Sequence, residues 1–375
     1  MAEWKEKNLV DAVGLKRGID LPTPQRRPGP YPVLGSSGIS GWHDEAPVRG
    51  PGVTIGRSGA SIGVATWHDG PFWPLNTTLY VTDFKGNDPR FIFRLLDGID
   101  FASFNSGSAQ PSLNRNFIAG IKVLIPPTHE QQAIADVLGA LDDKIAINEC
   151  IATTYERLFQ YKFTQLGLSE EPLDSDAIPV TDLVSFNPKV EKPSTNEPVY
   201  VDMAALQTNR ASIPSWTRRE PKSGPRFMNG DTLMARITPC LENGKTGYVD
   251  FMEDDEVGVG STEFIVMRSQ PGVPKELSYF LARDERFREH AIRNMVGSSG
   301  RQRVSAADAA NYFVNKPDSD GLAAFGTEVS AAFAHMKSLE SESRRLATIR
   351  DTLLPQLMSG RLRVRDAEKI VEDAT

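Results

Sequence analysis

Residues 126–168 repeat their pattern 191 positions later, as residues 317–359, without a gap. The identities are few: Pro126/Pro317, Ala133/Ala324, Ala140/Ala331, Glu149/Glu340, Gln165/Gln356 and Leu166/Leu357. The apolar spacing says more. A 4-3-4-3 step selects Ile134, Leu138, Leu141, Ile145, Asn148, Ala152, Tyr155, Phe159, Lys162 and Leu166 in the first copy. The same positions in the second are Phe325, Val329, Ala332, Met336, Leu339, Ser343, Leu346, Arg350, Leu353 and Leu357. Eight of ten are apolar in each copy. A seam this long predicts two coiled-coil helices rather than ordinary core helices.

The helix ends are readable too. Pro126-Pro127 stops the preceding segment, and Thr128 with Gln131 reads as a capping box. In the second copy Asp318, Ser319 or Asp320 can cap after Pro317. Glycines Gly167 and Gly360 mark the C-terminal ends, and Pro355 should kink the last turns. Aligned antiparallel from Ile134 and Leu357, the seam sets Asn148 opposite Ser343, Leu141 opposite Arg350 and Lys162 opposite Val329. The polar pair Asn148 and Ser343 then fixes the register. The stems of Lys162 and Arg350 carry their charges to water.

The segments before the helices correspond more loosely. GVTIGR at 52–57 resembles DTLMAR at 231–236, each a short strand ending in Arg. Ile62-Gly63-Val64-Ala65 is set against Thr246-Gly247-Tyr248-Val249, and Thr77–Val81 against Thr262–Val266. These are β-branched and aromatic runs between Gly-rich turns. A helical stretch follows each, near 89–97 and 275–295, and then a small polar loop, 106–110 and 297–302. The expected fold is α+β, with two similar globular domains each followed by a long helix. The two helices form an antiparallel coiled coil with pseudo-twofold symmetry. Its parts are a domain over 1–126, a helix over 127–168, a linker and second domain over 169–316, a helix over 317–360, and a tail over 361–375.

Several function classes are disfavoured. Cys150 and Cys240 are the only cysteines in 375 residues, so no disulfide framework is expected, and both read as cytoplasmic thiols. The five histidines lack metal-ligand spacing. No apolar run approaches the ~18 residues of a membrane span, and the polar N-terminus does not resemble a signal peptide. Gly244-Lys245-Thr246 ends like a P-loop, but Pro239 stands where its first glycine belongs. Asn187-Pro188 is followed by Lys189, not by the Pro-Tyr of an adenine-holding motif. No nucleophile, base and oxyanion site assembles, so no catalytic residue and no metal ligand is assigned.

What remains is binding chemistry. The net charge is −7, yet residues 1–125 hold thirteen Lys and Arg against eleven Asp and Glu. Candidate DNA contacts in the first domain are Lys16, Arg17, Arg26, Arg27, Arg57, Ser108 and Gln110. In the second they are Arg210, Arg218, Arg219, Arg226, Arg236, Ser299, Arg301, Gln302 and Arg303. Arg pairs bidentately with guanine edges and Gln with adenine; Ser and Gly loops offer donors to phosphate. Any one such Arg reads more readily as a solvated charge or an ion pair; as a set repeated once per copy, they favour DNA contact.

Three stretches carry a resemblance: Ile125-Pro126-Pro127-Thr128-His129-Glu130-Gln131-Gln132-Ala133-Ile134-Ala135, Leu138–Ile145, and Leu346–Gly360. With the order domain, helix, domain, helix, the chain resembles the specificity subunits of type I restriction–modification enzymes. The resemblance implies two target-recognition domains on spacer helices, reading a bipartite target in double-stranded DNA. It implies no activity in this chain. Two modification subunits would methylate adenine and restriction subunits would cleave, so S-adenosylmethionine, ATP and magnesium belong on those partners. A cytoplasmic location and no membrane contact follow. The alternatives are a coiled-coil scaffold, a stand-alone DNA-binding regulator, or a nuclease; the last lacks a carboxylate cluster. A helix of ~38 residues spans ~57 Å, more than the ~34–36 Å of one DNA turn.

Overall fold

The computed structural model describes residues 4–104, 112–173, 175–221, 223–298 and 300–373. The chain divides into two units, Met1–Ile145 with Arg344–Thr375, and Ala146–Ser343. The helices Thr128–Gln165 and Ser319–Met358 run 38 and 40 residues.

In the first unit a four-stranded sheet has the order Gly14–Arg17, Thr78–Asp83, Gly52–Gly56, Ala65–His68, all antiparallel. The central strand Gly52–Gly56 is buried along its whole length. Three further strands form a small sheet in which Tyr31–Gly35 pairs with Trp73–Pro74 in parallel. Lys5–Asn8 pairs with Lys122–Ile125, which leads into the long helix. The core is continuous with both long helices: Val53, Ile55, Leu79, Phe91 and Leu96 pack in one cluster with Ile134, Leu138 and Leu141 of the first and Leu346, Leu353 and Leu357 of the second.

The second unit repeats this plan. Its main sheet has the order Val184–Phe186, Phe264–Ser269, Thr232–Ala235, Thr246–Tyr248, again antiparallel throughout. A smaller sheet pairs Val199–Val201 with Gly258–Gly260 in parallel, and Ala177–Pro179 pairs with Phe313–Asn315. Met234, Ile265, Phe280 and Phe287 cluster with Phe159, Phe163, Phe325, Val329 and Phe333 of the long helices.

The ladders correct the strand alignment read from sequence. Ile55 pairs with Ala65 and Met234 with Thr246, so the counterpart of Thr246-Gly247-Tyr248 is Ala65-Thr66-Trp67, three residues beyond Ile62. Gly56 pairs with Thr78 and Ala235 with Phe264, so Thr77 matches Glu263, not Thr262. Both slips are odd, and an odd slip exchanges the two faces of a strand. The stretch 275–295 is two helices, Leu277–Arg283 and Glu285–Arg293, because Asp284 breaks the first and caps the second by accepting from Phe287 N.

The helix ends also depart from expectation. Thr128 is already helical, and Gln131 is not a capping partner. Its buried amide accepts from Asp88 N and donates to Asn87 Oδ1 and Pro126 O. The side chain therefore ties the helix start to the globular part. In the second copy Asp318 caps, accepting from Gly321 N at 2.6 Å. Gly167 and Gly360 take φ +77° and +69° just past the helix ends, the left-handed region that favours glycine. Residues 361–375 contain a helix, Val364–Glu372, with Ala367 fully buried in the first unit's core.

Within the second unit the two long helices run antiparallel. Asn148 Nδ2 donates to Ser343 Oγ at 3.2 Å and Glu342 Oε2 at 2.7 Å; Tyr155 meets His335, and Lys162 pairs with Glu328. Rising numbers on one helix meet falling numbers on the other. In the first unit Arg350 Nη1 lies 2.9 Å from Asp142, which also holds Arg94. Lys162 and Arg350 thus reach carboxylates of the facing helix instead of carrying unpaired charges to water. Glu156 is buried, and its carboxylate accepts from Ala211 N at 2.6 Å and Tyr279 Oη at 2.7 Å. Burial raises its pKa.

Asn148 is 2% exposed, and its Oδ1 has no hydrogen-bond partner among the described residues. An orphan buried acceptor costs about 1–3 kcal/mol. Asn148→Leu should therefore raise the calorimetric unfolding midpoint by about 2–4 °C per kcal/mol recovered; a lowered midpoint would mean the two donated bonds outweigh the orphan oxygen. A second expectation concerns acid. His68 packs on Phe72 with its Nε2 3.0 Å from Thr54 Oγ1, and burial lowers its pKa from 6.5 to about 4. Between those values the unfolded chain binds the extra proton, so stability falls as pH drops from 6.5 toward 4. Urea midpoints measured across that window should decline less steeply in His68→Gln; equal slopes would exclude His68 as a contributor.

Candidate nucleic-acid interface

The central strand of each main sheet ends in an arginine. Arg57 follows Gly52–Gly56, and Arg236 follows Thr232–Ala235. Their backbones are held alike. Arg57 N donates to Thr77 O and Arg57 O accepts from Leu113 N; Arg236 N donates to Glu263 O and Arg236 O accepts from Val304 N. Each arginine is therefore fixed on both sides by strand-like bonds, and each lines a groove at the strand ends.

The first groove, about 610 Å³, gathers Lys16, Arg17, Arg57, Asn76, Asn114 and Arg115. One carbonyl organises it: Asn76 O accepts from Arg17 Nε at 3.3 Å and from Arg57 Nη1 at 3.4 Å. The Asn76 side chain is itself anchored, donating to Asp20 Oδ1 at 2.7 Å. Burial, and next the charge of Arg17, lowers the Arg57 pKa.

The second groove, about 350 Å³, is lined by Asn187, Pro188, Arg226, Arg236, Thr262 and Phe264. Arg226 is tied to Val190 O at 2.8 Å. Arg236 is half-buried, and its Nε has no acceptor among the described residues. Buried donors of this kind want a partner. Beside it, Arg303 forms a bidentate pair with Glu263, and the Arg303 bond holds the Glu263 carboxyl below its usual range.

The remaining sequence candidates fall into distinct environments. Arg26 braces a loop, its guanidinium donating to Leu21 O and Ser40 O. Arg27 pairs with Asp44 and Glu45, Arg210 with Glu149, and Arg218 with Glu256. Arg219 lies over the Tyr200 ring at 3.7 Å, a cation–π stack. Arg301 is exposed, and Gln302 is joined through its backbone to Thr238. Ser108, Gln110 and Ser299 lie outside the described residues. The structure thus brings Lys16, Arg17 and Arg57 together in one groove, and Arg226 and Arg236 in the other. Asn76, Asn114 and Arg115 join the first groove from segments without a sequence signal, and Thr262 joins the second from the start of the Thr262–Val266 run. Among the described residues no cluster of His, Cys, Asp and Glu suits a metal ion, and no helix is long and apolar enough to cross a membrane.

Two α+β units repeat along the chain, each with a groove at the end of a central strand and each packed on the long helices. Residues 1–156 match the family described as the type I restriction modification DNA specificity domain. The specificity subunit of the Escherichia coli type I restriction enzyme EcoEI is 26% identical over 215 residues, 54% of this chain and 35% of that one. The EcoprrI specificity subunit, also from E. coli, is 30% identical over 112 residues, 30% of this chain and 28% of that one. The chain thus spans about a third of the length of the curated relatives it matches. The crystal structure of a type I restriction–modification S subunit from M. genitalium has the same fold. Its TM-score is 0.61 at 16% identity, covering 95% of this chain and 96% of that chain. The chain is thus similar to type I restriction–modification specificity subunits, in sequence over residues 1–156 and in fold over nearly its whole length.

Proposed function

We propose that this chain is the DNA-reading subunit of a type I restriction–modification complex, with each unit reading one half of a bipartite target. The observation that carries this reading is the equivalence of the two grooves. The same strand end, held by the same backbone bonds, presents Arg57 in one unit and Arg236 in the other. A groove of this kind offers guanidinium donors to base edges and phosphates. The chain itself performs no reaction in this reading. It directs adenine methylation by two modification subunits and cleavage by restriction subunits, which hold S-adenosylmethionine, ATP and magnesium. The DNA-facing set is Lys16, Arg17, Arg57, Arg226 and Arg236, with Arg301 and Gln302 beside the second groove.

Exchanging residues 1–125 for those of another specificity subunit tests the modular reading. Methylome sequencing of a host carrying the hybrid should show one half-site changed and the other kept; two changed halves, or none, would overturn it. A finer expectation separates free from paired arginines. Arg236→Ala should cost about 1–3 kcal/mol on target DNA and relax discrimination at one base pair. Arg27→Ala, whose guanidinium is already paired with Asp44 and Glu45, should leave target affinity nearly unchanged. Titration of labelled duplexes with single base changes reads both effects, and the reverse ranking would remove Arg236 from the reading set.

A further inference from the structure

The matching ladders allow the two grooves to be compared position by position, and they differ in charge. Leu15 pairs with Val81 and Phe186 with Met267, which sets Lys16 against Asn187 and Arg17 against Pro188. Arg57 corresponds to Arg236. Leu113 corresponds to Val304 through the bond to the strand-end arginine, and the next residues, Asn114 and Ser305, both cap a short helix. Arg115 therefore corresponds to Ala306. At these four positions the first unit holds four cations and the second holds one.

The four are not neutralised. Among the described residues no carboxylate lies within ion-pair distance of Lys16, Arg17, Arg57 or Arg115, although the chain is acidic overall. Asp20, the acid in the groove, accepts from the Asn76 amide. Two guanidinium groups are drawn to a single carbonyl, Asn76 O. A neutral carbonyl orients them without cancelling their charge, and their remaining N–H groups stay available. In the second groove Asn187 Oδ1 is occupied by Val266 N at 2.9 Å, and Arg226 is occupied by Val190 O.

We propose that Lys16, Arg17, Arg57 and Arg115 form a clamp for backbone phosphates of DNA, and that the corresponding positions of the second unit form none. The first unit then adds a grip independent of sequence to its reading of one half-site, and the second reads its half-site without such a clamp. This inference rests on the chain being a DNA-binding subunit. Like charges gathered without a counter-ion await a polyanion, and phosphate oxygens accept bidentate pairs from Arg.

The test uses the full chain, with any modification subunits that co-purify, and fluorescence anisotropy on a target duplex and a scrambled duplex across roughly 50–200 mM KCl. Lys16→Gln, Arg17→Gln and Arg115→Gln alter exposed side chains, and circular dichroism checks that each variant is folded. Each should weaken both duplexes by the same factor and flatten the slope of log K against log salt by about 0.9. Thr262→Ala, in the second groove, should leave the slope unchanged. An unchanged slope in all three Gln variants, or weakening on the target duplex alone, overturns the clamp while leaving DNA binding intact. A wild-type chain that binds neither duplex at any salt removes both readings.

Discussion

In each unit the long helices close the core on one face of the main sheet, and the placement of that sheet follows from this dependence. In the first unit Ile134, Leu138 and Leu353 share a cluster with Val53, Ile55 and Leu79 of the main sheet. In the second, Phe159, Phe163 and Phe333 do the same with Met234, Ile265 and Phe280. A seam that also serves as domain core cannot slide by a turn without opening both surfaces, because packed interiors tolerate few voids. Polar fasteners add direction to this non-directional burial. Gln131 fixes the start of one helix, Glu156 holds Ala211 and Tyr279 to its middle, and Asn148 reaches Ser343 across the pair. The strand ends that carry Arg57 and Arg236 are then set on a rigid base within each unit.

The helices were legible because a 3.5-residue period sustained over many turns has few other meanings. The strands were legible as elements but not in register. Aligning Ile62 with Thr246 matched residue types, whereas the ladder aligns Ala65 with Thr246. Turn lengths and backbone pairing set register, and neither is visible in a four-residue run. Gln131 misled for a similar reason. A Thr-x-x-Gln pattern is a local signal, but its amide was claimed by Asp88 and Asn87, more than forty positions away.

The candidate site was half legible on the same principle. Arg57 and Arg236 stood out because each ends a strand-like run in a repeated context. Arg27, Arg218 and Arg303 looked no different in sequence. Their partners Asp44 with Glu45, Glu256 and Glu263 lie 17 or more positions distant, and only the fold shows that these charges are spent. Asn76 and Arg115 were silent because the first groove is assembled from four separated segments. The net charge of −7 misdirects in the same way: many acids neutralise structural arginines, so the total says little about the unpaired cations that remain.

The contrast between the grooves has a consequence for specificity. A flexible, solvated cation binds any phosphate, and removing it weakens every sequence alike. A half-buried guanidinium such as Arg236, with one nitrogen lacking an acceptor, behaves differently. A base edge that supplies the acceptor recovers the bond, while one that does not leaves the donor desolvated and unpaired. Sites built on such donors reject the wrong partner far more strongly than apolar pockets do. In the proposed DNA-reading role, the discriminating power of the second groove would come from its partial burial rather than from its charge, and opening it to solvent would erode selectivity before affinity.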